Sequence, residues 1–118
     1  MAIKIIEVLL INQTMFDKIF PHGFLEPGDA TKIIGTVRKL IEDILFDMFF
    51  ESAEDDLQCM LIIGEKEKII KISISLTESF YQKHFGNLIP EEREKELNEL
   101  ITRITNKLDN INWLDVVR

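Results

Sequence analysis

Residues 57–76 read LQCMLIIGEKEKIIKISISL and contain two apolar runs separated by a short charged segment. The runs, at 57–63 and 68–76, flank Gly-Glu-Lys-Glu, a spacing that suits an antiparallel hairpin with a four- or five-residue connection. In the second run isoleucine and leucine alternate with lysine and serine, the pattern of a strand with one dry and one wet face. The stretch therefore predicts a β-hairpin at the centre of the fold.

Two long amphipathic helices are predicted on either side of this hairpin. Over about 29–51, apolar residues recur at three- and four-residue steps, and Asp29 is suited to cap the N terminus. Over 90–109, Pro90 suits a first helical position, and the acids that follow it complement the helix dipole. Both segments carry an apolar stripe that must pack against another element.

The remaining segments complete one α+β domain over residues 1–118. Residues 2–11 are rich in Ile and Val, which favours a buried strand, although a helix running on towards Phe20 is the alternative. Thr14 can cap a short helix, and the apolar tail after Asn110 is expected to dock as a short strand or turn. The predicted fold is a small antiparallel sheet, made of the hairpin and an N-terminal strand, packed against the two long helices and one or two short ones.

Composition argues against several classes of protein. With 21 acidic and 14 basic residues the net charge is −7, which repels nucleic-acid phosphates. The single cysteine cannot form an internal disulfide and the N terminus lacks a secretory pattern, so the cytoplasm is the expected location. The most apolar stretch is interrupted by Glu7 and is shorter than the roughly 20 residues of a membrane helix. We expect no direct nucleic-acid binding and no membrane span.

The negative charge is concentrated in one segment. Between Lys39 and Lys66 there are eight acids and no Lys, Arg or His, so this segment carries −8 and the rest of the chain +1. If the long helix reaches Glu51, then Asp43, Asp47 and Glu51 repeat every four residues, and each pair repels by roughly 0.2–0.5 kcal/mol. These acids also lie near the negative end of the helix dipole. Such local conflicts are typical of positions where function has overridden stability.

Phe46 and Phe50 lie beside these acids on the helical wheel, away from the main apolar stripe. Aromatic anchors supply affinity at interfaces, and complementary charge supplies speed and register. The alternative is that the acids are an ordinary solvated face and that a second layer buries both Phe side chains. The predicted partner-binding residues are Asp43, Phe46, Asp47, Phe50, Glu51, Glu54, Asp55 and Asp56.

Few residues suit catalysis or metal binding. Neither His22 nor His84 has a second His or Cys at metal-ligand spacing, and the five glycines are scattered singly, so no metal or cofactor is expected. His22, Glu26 and Asp29 share one loop and, with His84, are the candidates for acid–base chemistry. Cys59 faces the apolar side of its strand without a basic neighbour to stabilise a thiolate, which is typical of a small buried hydrophobe.

Three functions are compatible with these observations. The first is neutralisation of a basic partner, as by the immunity protein or antitoxin of a bacterial nuclease toxin, because nuclease sites are positively charged and attract an acidic domain. The alternative is a cytoplasmic chaperone or adaptor, normally a homodimer, that holds an extended secreted effector at the edge of the 57–76 sheet. The third is a small enzyme using the His22, Glu26 and Asp29 loop.

Overall fold

The computed structural model describes all 118 residues and confirms the α+β fold. A three-stranded antiparallel sheet has the order β1-β3-β2, with β1 at Ala2–Ile11, β2 at Leu57–Gly64 and β3 at Ile69–Thr77. The helices are α1 (Gln13–Ile19), α2 (Pro27–Phe49), α3 (Glu78–Tyr81), α4 (Pro90–Asp109) and α5 (Trp113–Val117), and a π-helical turn at Gln82–Gly86 follows α3. None of these helices combines the length and apolar content that crossing a bilayer requires.

The sheet has one face covered by helices and one open face. On the covered face of the central strand β3, four side chains are at most 1% exposed: Ile70, Ile72, Ile74 and Leu76. The opposite face carries exposed apolar side chains on both edge strands, Leu9 on β1 and Met60 and Ile62 on β2. The alternation predicted for this segment is therefore confirmed, and residues 2–11 form the strand rather than the alternative helix.

Helices α2 and α4 form the layer over the sheet. Helix α2 packs against β2, α4 packs against β1, and the two helices also pack against each other. The short C-terminal helix α5 fills the space beside α1 and α2, where Trp113 is 4% exposed. The tail predicted as a short strand or turn is instead a short helix, which docks with Trp113 buried.

Two helix starts differ from the predicted ones. Helix α1 is capped by Asn12, whose Oδ1 accepts from the N–H of Met15 at 2.9 Å, and Thr14 lies inside the helix. Helix α2 begins at Pro27, and Asp29 is its third residue, where Oδ2 accepts from the N–H of Glu26 at 3.0 Å. At α1 the cap is thus a residue two positions before Thr14, and at α2 Asp29 bonds back to the residue that precedes the helix.

Candidate functional site

The long helix α2 ends at an unusual residue. Phe50 follows its last residue, Phe49, and has φ 54° and ψ 34°, the left-handed conformation. Its N–H donates to the carbonyl oxygen of Phe46 at 2.7 Å, which closes the final turn. Glycine usually occupies this position, because any Cβ crowds the following carbonyl there, and a bulky side chain is a clear exception. The helix thus ends before Glu51, which is not in one helical row with Asp47.

Both aromatic side chains predicted as anchors are exposed. Phe46 is 56% exposed and Phe50 is 83% exposed, so no second layer covers this side of α2. The alternative in which both side chains lie in the core is therefore wrong. By contrast, Phe49 between them points inward and packs edge-on against Phe80 and Phe85, with ring centroids 6.0 and 5.4 Å away.

Asp47 is compensated by a cation from α4. Its Oδ2 accepts from Arg103 Nη1 at 3.1 Å, while Arg103 Nε donates to Glu99 Oε1 at 2.8 Å. The pKa of Arg103 is raised, first by the hydrogen bond to Glu99 and further by Asp47. Asp47 therefore has a counter-ion, supplied by a residue that lies 56 positions later in the sequence.

Glu51 is compensated by the π-helical turn. Its Oε2 accepts from Lys83 Nζ at 2.8 Å and lies 3.0 Å from His84 Nε2. The hydrogen bond from Lys83, with a smaller contribution from His84, lowers the pKa of the Glu51 carboxyl. The His84 ring packs beside the rings of both Phe49 and Phe80, with centroids 4.4 and 4.5 Å away. Glu51 and His84 together tie the end of α2 to the turn at 82–86.

The loop after α2 is held by hydrogen bonds to its backbone and by one of its acids, Asp56. Arg38 donates to the carbonyl oxygen of Glu54 at 2.9 Å and also pairs with Glu42 at 3.2 Å. Asp56 Oδ1 accepts from the Thr77 hydroxyl at 2.6 Å, so this carboxylate has a structural role at the start of the hairpin. The carboxylates of Glu54 and Asp55 are exposed and form no ion pair.

A groove between α2 and α4 was not predicted from the sequence. It has a volume of about 890 Å³, and Asp43 and Asp47 line it together with Lys39, Arg103 and Lys107. Its positively charged side chains come from both helices, so the acids of α2 face both positive and negative charges on this side. The periodicity of each helix alone carries no signal for the groove, because it forms only where the two helices meet.

The other candidates for chemistry are accounted for locally. Asp29 is engaged by the N–H of Glu26, and exposed His22 has only Phe24 as an aromatic neighbour, with ring centroids 6.4 Å apart. Burial raises the pKa of the Cys59 thiol to about 11, which keeps it protonated at neutral pH. No group of three or more His, Cys, Asp and Glu side chains is arranged to hold a metal ion.

Five of the predicted partner-binding residues remain free of internal partners. We define the acidic–aromatic surface as Asp43, Phe46, Phe50, Glu54 and Asp55. Asp43 is exposed, forms no ion pair and lies one helical turn before Phe46, while the other two acids follow Phe50 in the loop. Comparisons with protein-family models, with curated proteins and with solved structures find no match to this chain.

Proposed function

We propose that this protein binds and neutralises a basic protein partner in the cytoplasm through the acidic–aromatic surface. Among proteins of this kind, the immunity protein or antitoxin of a bacterial nuclease toxin fits the chemistry best, because a nuclease presents a positively charged site. The observation that carries the proposal is Phe50, which combines the left-handed conformation with an exposed fraction of 83%.

Phe50 destabilises the isolated fold. The left-handed conformation costs a side-chain-bearing residue roughly 1–2 kcal/mol relative to the right-handed one. A buried ring would offset that cost through packing, but this ring is exposed to solvent. Strain of this kind, held by well-packed neighbours, occurs preferentially at functional sites. The ring gains packing only when another molecule covers it, and Phe46 one turn earlier enlarges the same apolar contact.

The charge around the two rings selects the partner. Asp43, Glu54 and Asp55 are exposed and form no ion pair within the chain. The whole chain carries −7, so its long-range field also attracts positive molecules. Complementary fields raise association rates and reject partners of like charge. A basic protein with an apolar pocket for the rings fits this surface.

Capture of the partner followed by kinetics tests the proposal. A photo-crosslinking amino acid is placed at Phe46 or Phe50 in cells that express the protein. The control position is Leu9, an apolar residue on the sheet whose exposed fraction of 51% is close to the 56% of Phe46. We expect one adduct that is specific to the two α2 positions and contains a protein with a basic domain. A captured protein that is acidic contradicts the proposal.

The second step measures association with the purified captured protein. Asp43→Lys combined with Asp55→Lys is expected to slow association by at least about tenfold, an effect that added salt reproduces. The control is Glu91→Lys combined with Asp115→Lys. It changes the net charge by the same amount at two exposed acids outside the acidic–aromatic surface. Equal slowing by both pairs, or association that is insensitive to salt, would rule out this surface.

A further inference from the structure

The outer edge of β2 has a defined set of outward-pointing backbone groups. The N–H of Thr77 donates to the carbonyl oxygen of Asp56 at 2.9 Å, immediately before Leu57 pairs with Leu76. In an antiparallel pair, alternate residues exchange hydrogen bonds with the neighbouring strand and the others point away from it. The even-numbered residues of β2 therefore bond to β3. The odd-numbered residues direct their N–H and C=O groups to the outer edge.

Most of these outward groups are unpaired. Leu57 is satisfied, because its N–H donates to the Ala53 carbonyl at 2.9 Å and its carbonyl accepts from Arg38 at 2.6 Å. The outward N–H and C=O of Cys59, Leu61 and Ile63 have no hydrogen-bond partner in the fold. An unpaired row of this kind is a template for the addition of another strand.

The two edges of the sheet differ in how they are protected. The edge strand β1 carries Lys4 and Glu7 and is interrupted by two bulges, which are features that discourage strand addition. The edge strand β2 has no charged residue and no irregularity in its register. It also exposes apolar side chains, with Met60 at 63%, Ile62 at 38% and Ile63 at 39%.

We propose that β2 pairs antiparallel with β2 of a second copy of this chain, about a two-fold axis at Leu61. Cys59 then lies opposite Ile63 of the second copy, and Leu61 lies opposite Leu61 of the second copy. Every unpaired edge group between Cys59 and Ile63 gains a partner, and the two sheets become one continuous sheet of six strands. This dimer uses a surface other than the acidic–aromatic surface.

The positions of the free groups favour this register. An axis at Met60 would require Leu57, whose outward groups are already engaged by Ala53 and Arg38. An axis at Ile62 would place Cys59 opposite Glu65, beyond the end of the strand. A register shifted by one residue would pair odd-numbered with even-numbered residues. The helix-covered face of one copy would then continue into the open face of the other.

The side chains in this register favour a second copy over an unrelated strand. Met60 lies opposite Ile62 of the second copy, so the exposed apolar residues of the edge cover each other.

The mass of the full chain, measured by sedimentation velocity over a concentration series, tests the dimer. We expect a dimer in the wild type and at least about tenfold weaker dimerisation in Ile63→Pro. Proline at 63 removes an outward N–H and leaves the bonds to β3 intact. Leu9→Lys removes an exposed apolar residue from the other edge strand and is expected to leave the dimer unchanged.

A cross-link tests the register even if the proline variant fails to fold. In a Cys59→Ser background, Met60→Cys with Ile62→Cys is expected to form an intermolecular disulfide under mild oxidation, whereas Gln58→Cys alone is not. A wild type that is monomeric at its highest soluble concentration overturns the proposal. So does a dimer that keeps its stability in Ile63→Pro, or an edge that takes up an extended client peptide while the protein stays monomeric. A Phe50 variant that loses its basic partner but keeps the dimer separates the two surfaces.

Discussion

His84 Nε2 lies 3.0 Å from Glu51 Oε2, the same oxygen that accepts from Lys83. This contact fixes the residue after Phe50, while the packed ring of Phe49 fixes the residue before it. The left-handed Phe50 is therefore held between two anchored neighbours, which is how a locally unfavourable conformation persists in a fold. The same arrangement presents the exposed ring in a fixed direction.

Replacing Glu51 with Gln is expected to make the free energy of unfolding less dependent on pH in the acidic range. Because the folded pKa of Glu51 lies below its unfolded value of about 4.3, its carboxylate stabilises the fold above that pH. This contribution is lost as the pH falls through the lowered folded pKa. Urea unfolding across this range should show the wild type and Glu51→Gln converging at low pH. Glu54→Gln, which removes an unpaired carboxylate, should show no such convergence.

Replacing Phe50 with Gly is expected to stabilise the protein. Glycine adopts the left-handed conformation without a Cβ penalty, and the exposed ring contributes little packing to the fold. The free energy of unfolding should rise by about 1 kcal/mol in denaturant titrations, while partner binding is lost. Phe49→Gly is the matched contrast and should destabilise strongly, because its ring packs inward. A loss of stability in Phe50→Gly would show that the ring supports the fold.

Replacing Asn12 with Ala is expected to cost about 1 kcal/mol of stability. Asn12 Oδ1 accepts from the N–H of Met15, and loss of such a cap leaves that donor without its partner. Thr14→Ala is the control, because exposed Thr14 lies within α1 and its side chain makes no capping bond. Thermal or chemical unfolding of both variants checks the assignment. A larger loss of stability from Thr14→Ala than from Asn12→Ala would show that Thr14 caps the helix, as the sequence predicted.

Cys59 is expected to react slowly with thiol reagents in the folded protein. Its pKa of about 11 leaves roughly a hundredfold or more less thiolate at neutral pH than an ordinary cysteine has. Labelling should accelerate to the ordinary rate when urea unfolds the chain, and the rate in the folded protein should rise with pH towards 11. Fast labelling at neutral pH in the native protein would show an activated thiol and reopen a catalytic role.

Local patterns predicted most of the secondary structure. The alternation in 68–76 and the apolar stripe of 90–109 are set by residues close together in the chain, so periodicity alone identified β3 and α4. The cap positions were less predictable, because Asn12 and Thr14 are both chemically suited to the role and the choice depends on where the preceding strand ends.

The sequence by itself determined that an acidic segment, with phenylalanines at 46, 49 and 50, covers the second half of a long helix and the loop after it. Only the tertiary structure decided which acids are free, because Arg103 reaches Asp47 across 56 residues and Lys83 reaches Glu51 across 32. It also decided that β3 is the central strand, which leaves β2 as an open edge. Ion pairs and strand neighbours depend on distances in space. Periodicity along the chain carries information only about neighbours in sequence.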